Sequence, residues 1–198
     1  MKKVFIYGDS NVWGASPNGR LPDSEQWSNI LQSKIGIDYK IVQEGLPGRY
    51  AGSFAYEPRP HFNGQFCYEP IYRTASPVDI VIIALGTNDL NDRYNRSTDE
   101  IVSDILWYEN KTRTLIYNVE TMPIFIYVLP PNFSGKFKDS TFDLEKREVV
   151  NDKLKQKVDH FVEISDVDLS ADGLHFSPKG HRQMADAVFA KITESDRI

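Results

Sequence analysis

Short apolar runs alternate with longer amphipathic stretches along this chain. Lys3-Val4-Phe5-Ile6-Tyr7 reads as a buried strand, and the residues from about Gln26 to Ile35, stopped by Gly36, read as a helix. Tyr39-Lys40-Ile41-Val42 predicts a second strand. Asp79-Ile80-Val81-Ile82-Ile83-Ala84-Leu85 is an unbroken run rich in β-branched residues, the pattern of a strand covered on both faces. Ile101, Ile105, Tyr108, Thr112, Leu115 and Val119 mark one face of a long helix that Pro123 ends, ahead of a fourth strand over Ile124-Phe125-Ile126-Tyr127-Val128. Val150, Leu154, Val158 and Phe161 repeat at helical spacing, and Phe161-Val162-Glu163-Ile164 fits a short fifth strand. Met184, Ala185, Val188, Phe189 and Ile192 give a last helix its core-facing stripe.

Strands alternating with helices imply an α/β architecture, a parallel sheet with helices on both faces. Right-handed crossovers then put the C-terminal ends of all strands on one edge, where such sheets bind ligands. Gly8-Asp9-Ser10 follows the first strand, Glu44-Gly45 the second and Gly86-Thr87-Asn88-Asp89 the third. Three segments far apart in sequence are therefore expected on the same rim. Two long connections also leave it, one from Leu46 to Ser76, rich in Tyr, Phe and Pro, and one from Leu129 to about Asp143. Connections of that length usually have a function or a fold of their own. The aromatic residues between Tyr50 and Tyr72 read ordinarily as loop packing or a subunit contact, and pocket lining and a subunit contact fit them equally well.

The 198 residues suffice for one core, and no linker, repeat or low-complexity tract divides them, so one domain over residues 1–198 is expected. A net charge of −5 without a Lys/Arg stripe argues against a nucleic-acid partner. No run approaches the ~20 apolar residues of a membrane span. The apolar run after Met1-Lys2-Lys3 is too short for a signal peptide, and the lone Cys67 suits a reducing compartment, so a cytoplasmic setting is expected.

Ser10 is the candidate nucleophile. A serine hydroxyl becomes reactive only when a neighbouring base takes its proton, and a serine between a strand and a helix offers the cleft both its hydroxyl and its backbone N–H. Taken alone, Gly8-Asp9-Ser10 reads better as a turn whose Ser or Asp caps the next helix. Val12 stands where a Gly-x-Ser-x-Gly elbow has its second glycine, so this is not that motif. Asp172 and His175 lie three residues apart in a loop ahead of Pro178. At that spacing the carboxylate can accept the Nδ1–H and leave Nε2 facing the serine. The Asn88 side chain, the Gly45 backbone N–H and that of Ser10 would supply three oxyanion donors. Each piece has an ordinary alternative, since Gly, Asn and Asp dominate turns. Their joint presence at strand ends is what points to acyl transfer. There is no His-Glu-x-x-His, no paired cysteines, no clustered carboxylates and no phosphate-cradling glycine loop, so neither a metal nor a cofactor is expected. His160 and His181 fall in helical patterns and read as surface or packing residues, His61 lies in the aromatic connection, and Cys67 reads as a small buried residue.

With these blocks in family order over nearly the whole chain, the sequence resembles the SGNH hydrolases, also called the GDSL esterase/lipase family. The matching residues are Ser10, Gly45, Asn88 and His175, with Asp172 in the acid position. The resemblance implies a flavodoxin-like three-layer α/β/α sandwich with a parallel five-stranded sheet, and hydrolysis of small-molecule esters without a metal. Trp13-Gly14, Glu44-Gly45-Leu46, Arg49 and the segment from Val78 to Asp89 look most similar to arylesterase/acyltransferase members. Those act on short acyl esters, can pass the acyl group to alcohols, and in some cases form homo-oligomers. Carbohydrate O-acetyl esters are the alternative substrate class. Asp9, Asn11 and Trp13, flanking the nucleophile, are expected to contact substrate. Asn11 replaces the leucine of the name-giving motif, and Tyr50-Ala51 replace a pair of threonines, so both bear on substrate preference.

Overall fold

The computed structural model describes residues 1–52, 59–116, 122–134, 136–138 and 140–195. Strands β1 (Lys2–Gly8), β2 (Tyr39–Gly45), β3 (Ile80–Ala84), β4 (Ile124–Val128) and β5 (Phe161–Val162) form one sheet in the order β2-β1-β3-β4-β5. All four pairings are parallel. This is the doubly wound order whose switch point, between β1 and β3, opens a crevice beyond the strand ends.

Alternation along the strands sets the layers. Phe5 and Tyr7 of β1, Val81 and Ile83 of β3, and Phe125 and Tyr127 of β4 face one side. Val4, Ile6, Ile80, Ile82, Ile126 and Val128 face the other. The aliphatic face is covered by α2 (Trp27–Ile35) and α6 (Pro178–Ser195), through Trp27, Leu31, Met184, Val188 and Ile192. Against the aromatic face pack α3 (Gly64–Ala75), α4 (Thr98–Leu115) and α5 (Leu144–Lys155), through Tyr68, Tyr72, Ile105, Tyr108 and Leu154.

Tyrosines can be buried here because their hydroxyls are bonded. Tyr7 donates to Gly64 O at 2.7 Å, Tyr108 to Ala51 O at 2.6 Å, and Tyr68 meets Thr112 Oγ1 at 2.7 Å. The rings of Tyr7, Tyr68 and Tyr108 contact one another edge-on or tilted, with centroids 4.9–5.6 Å apart. Two backbone groups of the edge strand β2 are occupied by a side chain. Ile41 N–H donates to Gln32 Oε1 at 2.8 Å, and Gln32 Nε2 donates to Tyr39 O at 3.0 Å. That bidentate amide blocks part of an edge on which another strand could pair.

The aliphatic strands and the last helix stand where the pattern put them. Helix α3 does not appear in that pattern, because Pro70 lies inside it and its buried positions are Gly64, Tyr68, Tyr72 and Ala75, with no aliphatic stripe. Tyr50, Tyr68 and Tyr72 are core residues, so for these three packing within the chain holds in place of pocket lining and subunit contact. Phe54 and Tyr56 lie outside the described residues. Helix α5 ends at Lys155, so Val158 falls in the turn beyond it and Phe161 belongs to β5. Helix α4 ends at Leu115, and Val119 is outside the described residues. Cys67 sits half-buried on α3, not in the core.

A buried ion cluster fixes the segment after β3. Asp89 is 1% exposed and pairs with Arg96, whose other nitrogen pairs with Asp104. The second Asp89 oxygen accepts Ala51 N–H at 2.8 Å, and Gln65 Nε2 donates to Asp104 at 2.9 Å. Burial pushes Asp89 up to about 6, against the attraction of Arg96. Removing the cation leaves a carboxylate in the core, so Arg96→Ala is expected to lower stability by about 3–5 kcal/mol. Equilibrium urea unfolding beside the wild type measures it, and a loss under about 1 kcal/mol, the level of an exposed ion pair, would show that the pair is solvated.

Candidate active site

Register alone brings the three strand ends together: Gly8 of β1 lies beside Gly45 of β2 and Ala84 of β3. Two residues past Gly8 the chain enters α1 (Ser10–Trp13), a single turn. Asp9 caps it, its carboxylate accepting Asn11 N–H at 2.9 Å. The turn is tight enough to need a missing side chain. A Cβ on Gly8 would lie 2.3 Å from Val12 Cγ2, and one on Gly45 would lie 2.3 Å from Trp13 N. Ser10 thus opens a helix packed directly onto the end of the sheet.

His175 arrives on a folded loop between β5 and α6. Ser170 N–H donates to His175 O at 2.7 Å, and Leu169 and Phe176 form an antiparallel bridge. Asp172 Oδ1 accepts the backbone N–H of both Leu174 and His175 at 3.0 Å. Its Oδ2 lies 2.8 Å from His175 Nδ1, and His175 Nε2 lies 3.0 Å from Ser10 Oγ. Ser10 and His175 are both under a tenth exposed. The Phe137 ring meets the imidazole edge-on, centroid to centroid 5.4 Å. Burial acts to raise the Asp172 pKa, but the hydrogen bonds from the backbone and ring of His175 and from Leu174 prevail and hold it below the ordinary carboxyl value.

Asn88 Nδ2 donates one proton to Arg49 O at 3.0 Å. An amide carries two, so this bond fixes the rotamer and leaves a second donor. Arg49 itself is buried, with Nη1 bonded to Gly8 O at 2.9 Å and Glu44 O at 2.6 Å and its guanidinium 4.1 Å from the Tyr7 ring centroid. It ties the ends of β1 and β2 together beneath the rim.

The sequence profile of the GDSL-like lipase/acylhydrolase family matches residues 6–183. The chain belongs to that family. No curated protein matches it. Among solved structures, a putative arylesterase from Agrobacterium tumefaciens str. C58 shares 27% identity at a TM-score of 0.84, over 98% of this chain and 99% of that one. The native aryl esterase of M. smegmatis shares 24% identity at a TM-score of 0.85, over 98% and 99%. Est24, a carbohydrate acetylesterase from Sinorhizobium meliloti, shares 24% at a TM-score of 0.85, over 98% and 100%. The protein is an ester-hydrolysing serine hydrolase of the SGNH fold, with the five-stranded parallel sheet of that fold.

Of the residues read from the sequence of this GDSL-family enzyme, Ser10, Asp172 and His175 meet in one hydrogen-bonded chain. Gly45 ends β2, and Asn88 opens the short helical turn Asn88–Leu90 that follows β3. Asp9 and Asn11 are buried, and the bonds they make run to backbone groups. Trp13, half-buried, lies under the Arg20 guanidinium at 5.2 Å. His181 is fully buried on α6, its Nδ1 accepting Trp27 N–H at 3.2 Å, and burial with His175 nearby pushes its pKa down to about 4. His160 lies on the turn before β5, not in a helix, 3.3 Å from Ser195 Oγ. Among the described residues no group of three His, Cys, Asp or Glu could hold a metal ion, and no helix is long and apolar enough to cross a membrane. The bracing by Arg49 and the contact of Phe137 leave no trace in residue spacing, because both act across segments distant in sequence.

Burial pushes the Asp9 carboxyl from 3.8 to about 7, with Asp89 adding to the rise and the Asn11 amide and Arg49 opposing it. The folded protein then holds a proton that the unfolded chain releases, so stability should fall as pH rises from about 4 to about 7. Asp9→Asn keeps the capping oxygen and lacks the titration. Thermal midpoints of both proteins across that window test this: the wild type should lose ground to Asp9→Asn, and parallel curves would refute it.

Proposed function

We propose that the protein hydrolyses short-chain acyl esters through an acyl-enzyme on Ser10, with His175 as base and Asp172 as its orienting carboxylate. The observation that carries this reading is the continuous chain from Ser10 Oγ through His175 to Asp172, at 3.0 and 2.8 Å. Both distances lie within proton-transfer reach. His175 Nε2 takes the Ser10 proton as Oγ attacks the ester carbonyl. Asp172, held ionised by its hydrogen bonds, stabilises the imidazolium that forms. The tetrahedral oxyanion is held by the N–H groups of Ser10 and Gly45 and by the second amide proton of Asn88. The first of these is a helix-start donor with no intrahelical partner. The imidazolium then protonates the departing alcohol. Water activated by His175, or an alcohol taking its place, releases the acyl group. Asp9, Asn11 and Trp13 flank the nucleophile as the candidate substrate contacts, Asp9 and Asn11 also bonding to backbone groups.

Acetyl esters are the first substrates to test, because carbohydrate acetylesterases stand among the neighbours of the same fold. Ser10→Ala and His175→Ala should each lower kcat roughly 10⁴-fold or more on p-nitrophenyl acetate. The acetate, butyrate and octanoate esters rank acyl length, and a peracetylated sugar compared with the aryl acetate separates the two alcohol classes. Undiminished hydrolysis by a folded Ser10→Ala protein would sink the mechanism.

A further inference from the structure

Asn11 occupies the place of an apolar residue in the name-giving motif, yet it is 6% exposed and polar. Its side chain crosses to the loop that carries His175. Oδ1 accepts Phe176 N–H at 2.9 Å, and Nδ2 reaches Leu174 O at 3.5 Å. These are the backbone groups immediately on either side of His175. Asn11 is itself fixed, since Asp9 holds its N–H and its residue belongs to the same helical turn as Ser10. Among the described residues, the other hydrogen bond between this turn and that loop is the Ser10–His175 contact. In the reading given above, that contact is broken and remade in every turnover. It cannot hold the loop while it is being used.

We propose that Asn11 is a positioning residue that keeps His175 in register with Ser10 through the Leu174 and Phe176 backbone. A leucine at this position fills similar space but offers neither donor nor acceptor, and it leaves Phe176 N–H buried without a partner. The imidazole is then anchored to its own loop and no longer to the nucleophile's helix. Small displacements of reacting groups are costly in rate and leave binding of the ground state largely intact.

This inference rests on His175 being the base, so the test is a double-mutant cycle. Asn11→Leu, Asn11→Asp, His175→Ala and the combination of Asn11→Leu with His175→Ala are assayed on p-nitrophenyl acetate, with thermal midpoints as the check on folding. Asn11→Leu should lower kcat about tenfold or more while KM stays within about twofold, as expected for misplacement rather than lost binding. With His175 already replaced, the same substitution should cost nothing further. Asn11→Asp, which keeps the acceptor oxygen, should recover most of the rate. An equal loss in both backgrounds, or a rise in KM alone, would overturn the proposal in favour of direct contact with substrate. If Asn11→Leu does not fold, Asn11→Ala is carried through the same cycle with the same readings. Wild-type turnover by His175→Ala alone would instead refute the base assignment, whatever Asn11 does.

Discussion

A chain leaving a parallel strand has to turn sharply if its next residue is to stand above the sheet edge. At Gly8 the turn is sharp enough that Val12 folds back to 2.3 Å from where a Cβ would be. Helix α1 is only four residues long, so it cannot support itself and depends on that contact, on the Asp9 cap and on the matching close approach of Gly45 to Trp13. The position of Ser10, and with it every distance measured at the site, follows from this packing. A larger residue at either glycine would press on Val12 or Trp13 and so displace the turn that carries the serine.

Beneath the rim several polar side chains are buried, and most of their hydrogen bonds come from other segments of the chain, although Arg49 Nε has no partner among the described residues. Arg49 joins the ends of β1 and β2 and lends its carbonyl to Asn88. Asp89, the next residue, is locked by Arg96 and by the Ala51 amide. The tyrosine layer bonds to Gly64 and Ala51, which places the start of α3 and the segment after Arg49. Such groups contribute little net stability, yet leaving any of them unpaired is expensive, so they select one arrangement over near alternatives.

Two carboxyls near Ser10 illustrate how environment sets the behaviour of one residue type. Asp172 accepts three hydrogen bonds, two from backbone and one from the imidazole, and stays ionised. Asp9 is more deeply buried, and desolvation prevails over the bond from Asn11. The first is suited to stabilising a neighbouring cation and the second to shaping the turn. The same residue type serves both because hydrogen-bond count and solvation move the pKa in opposite directions.

Much of this was legible in the chain itself. Short uninterrupted runs rich in β-branched residues favour strands covered on both faces, so the central sheet, its parallel sense and the rim that collects its loops follow from hydrophobic pattern and right-handed connection. Ser10, Asn88, Asp172 and His175 could be singled out only together, since each alone reads as an ordinary turn residue and it is their joint occurrence after predicted strands that is informative. Helix α3 was not legible, since Pro70 lies inside it and its buried positions carry no aliphatic stripe, and a tyrosine reads as core only once its hydroxyl has a known partner. Arg49 as a brace, Phe137 against the imidazole and the reach of Asn11 to the His175 loop were also invisible. These depend on which segments the fold brings within about 3–5 Å, a distance that sequence separation does not encode, so pattern determined the scaffold while tertiary structure alone decided which side chains hold the site in place.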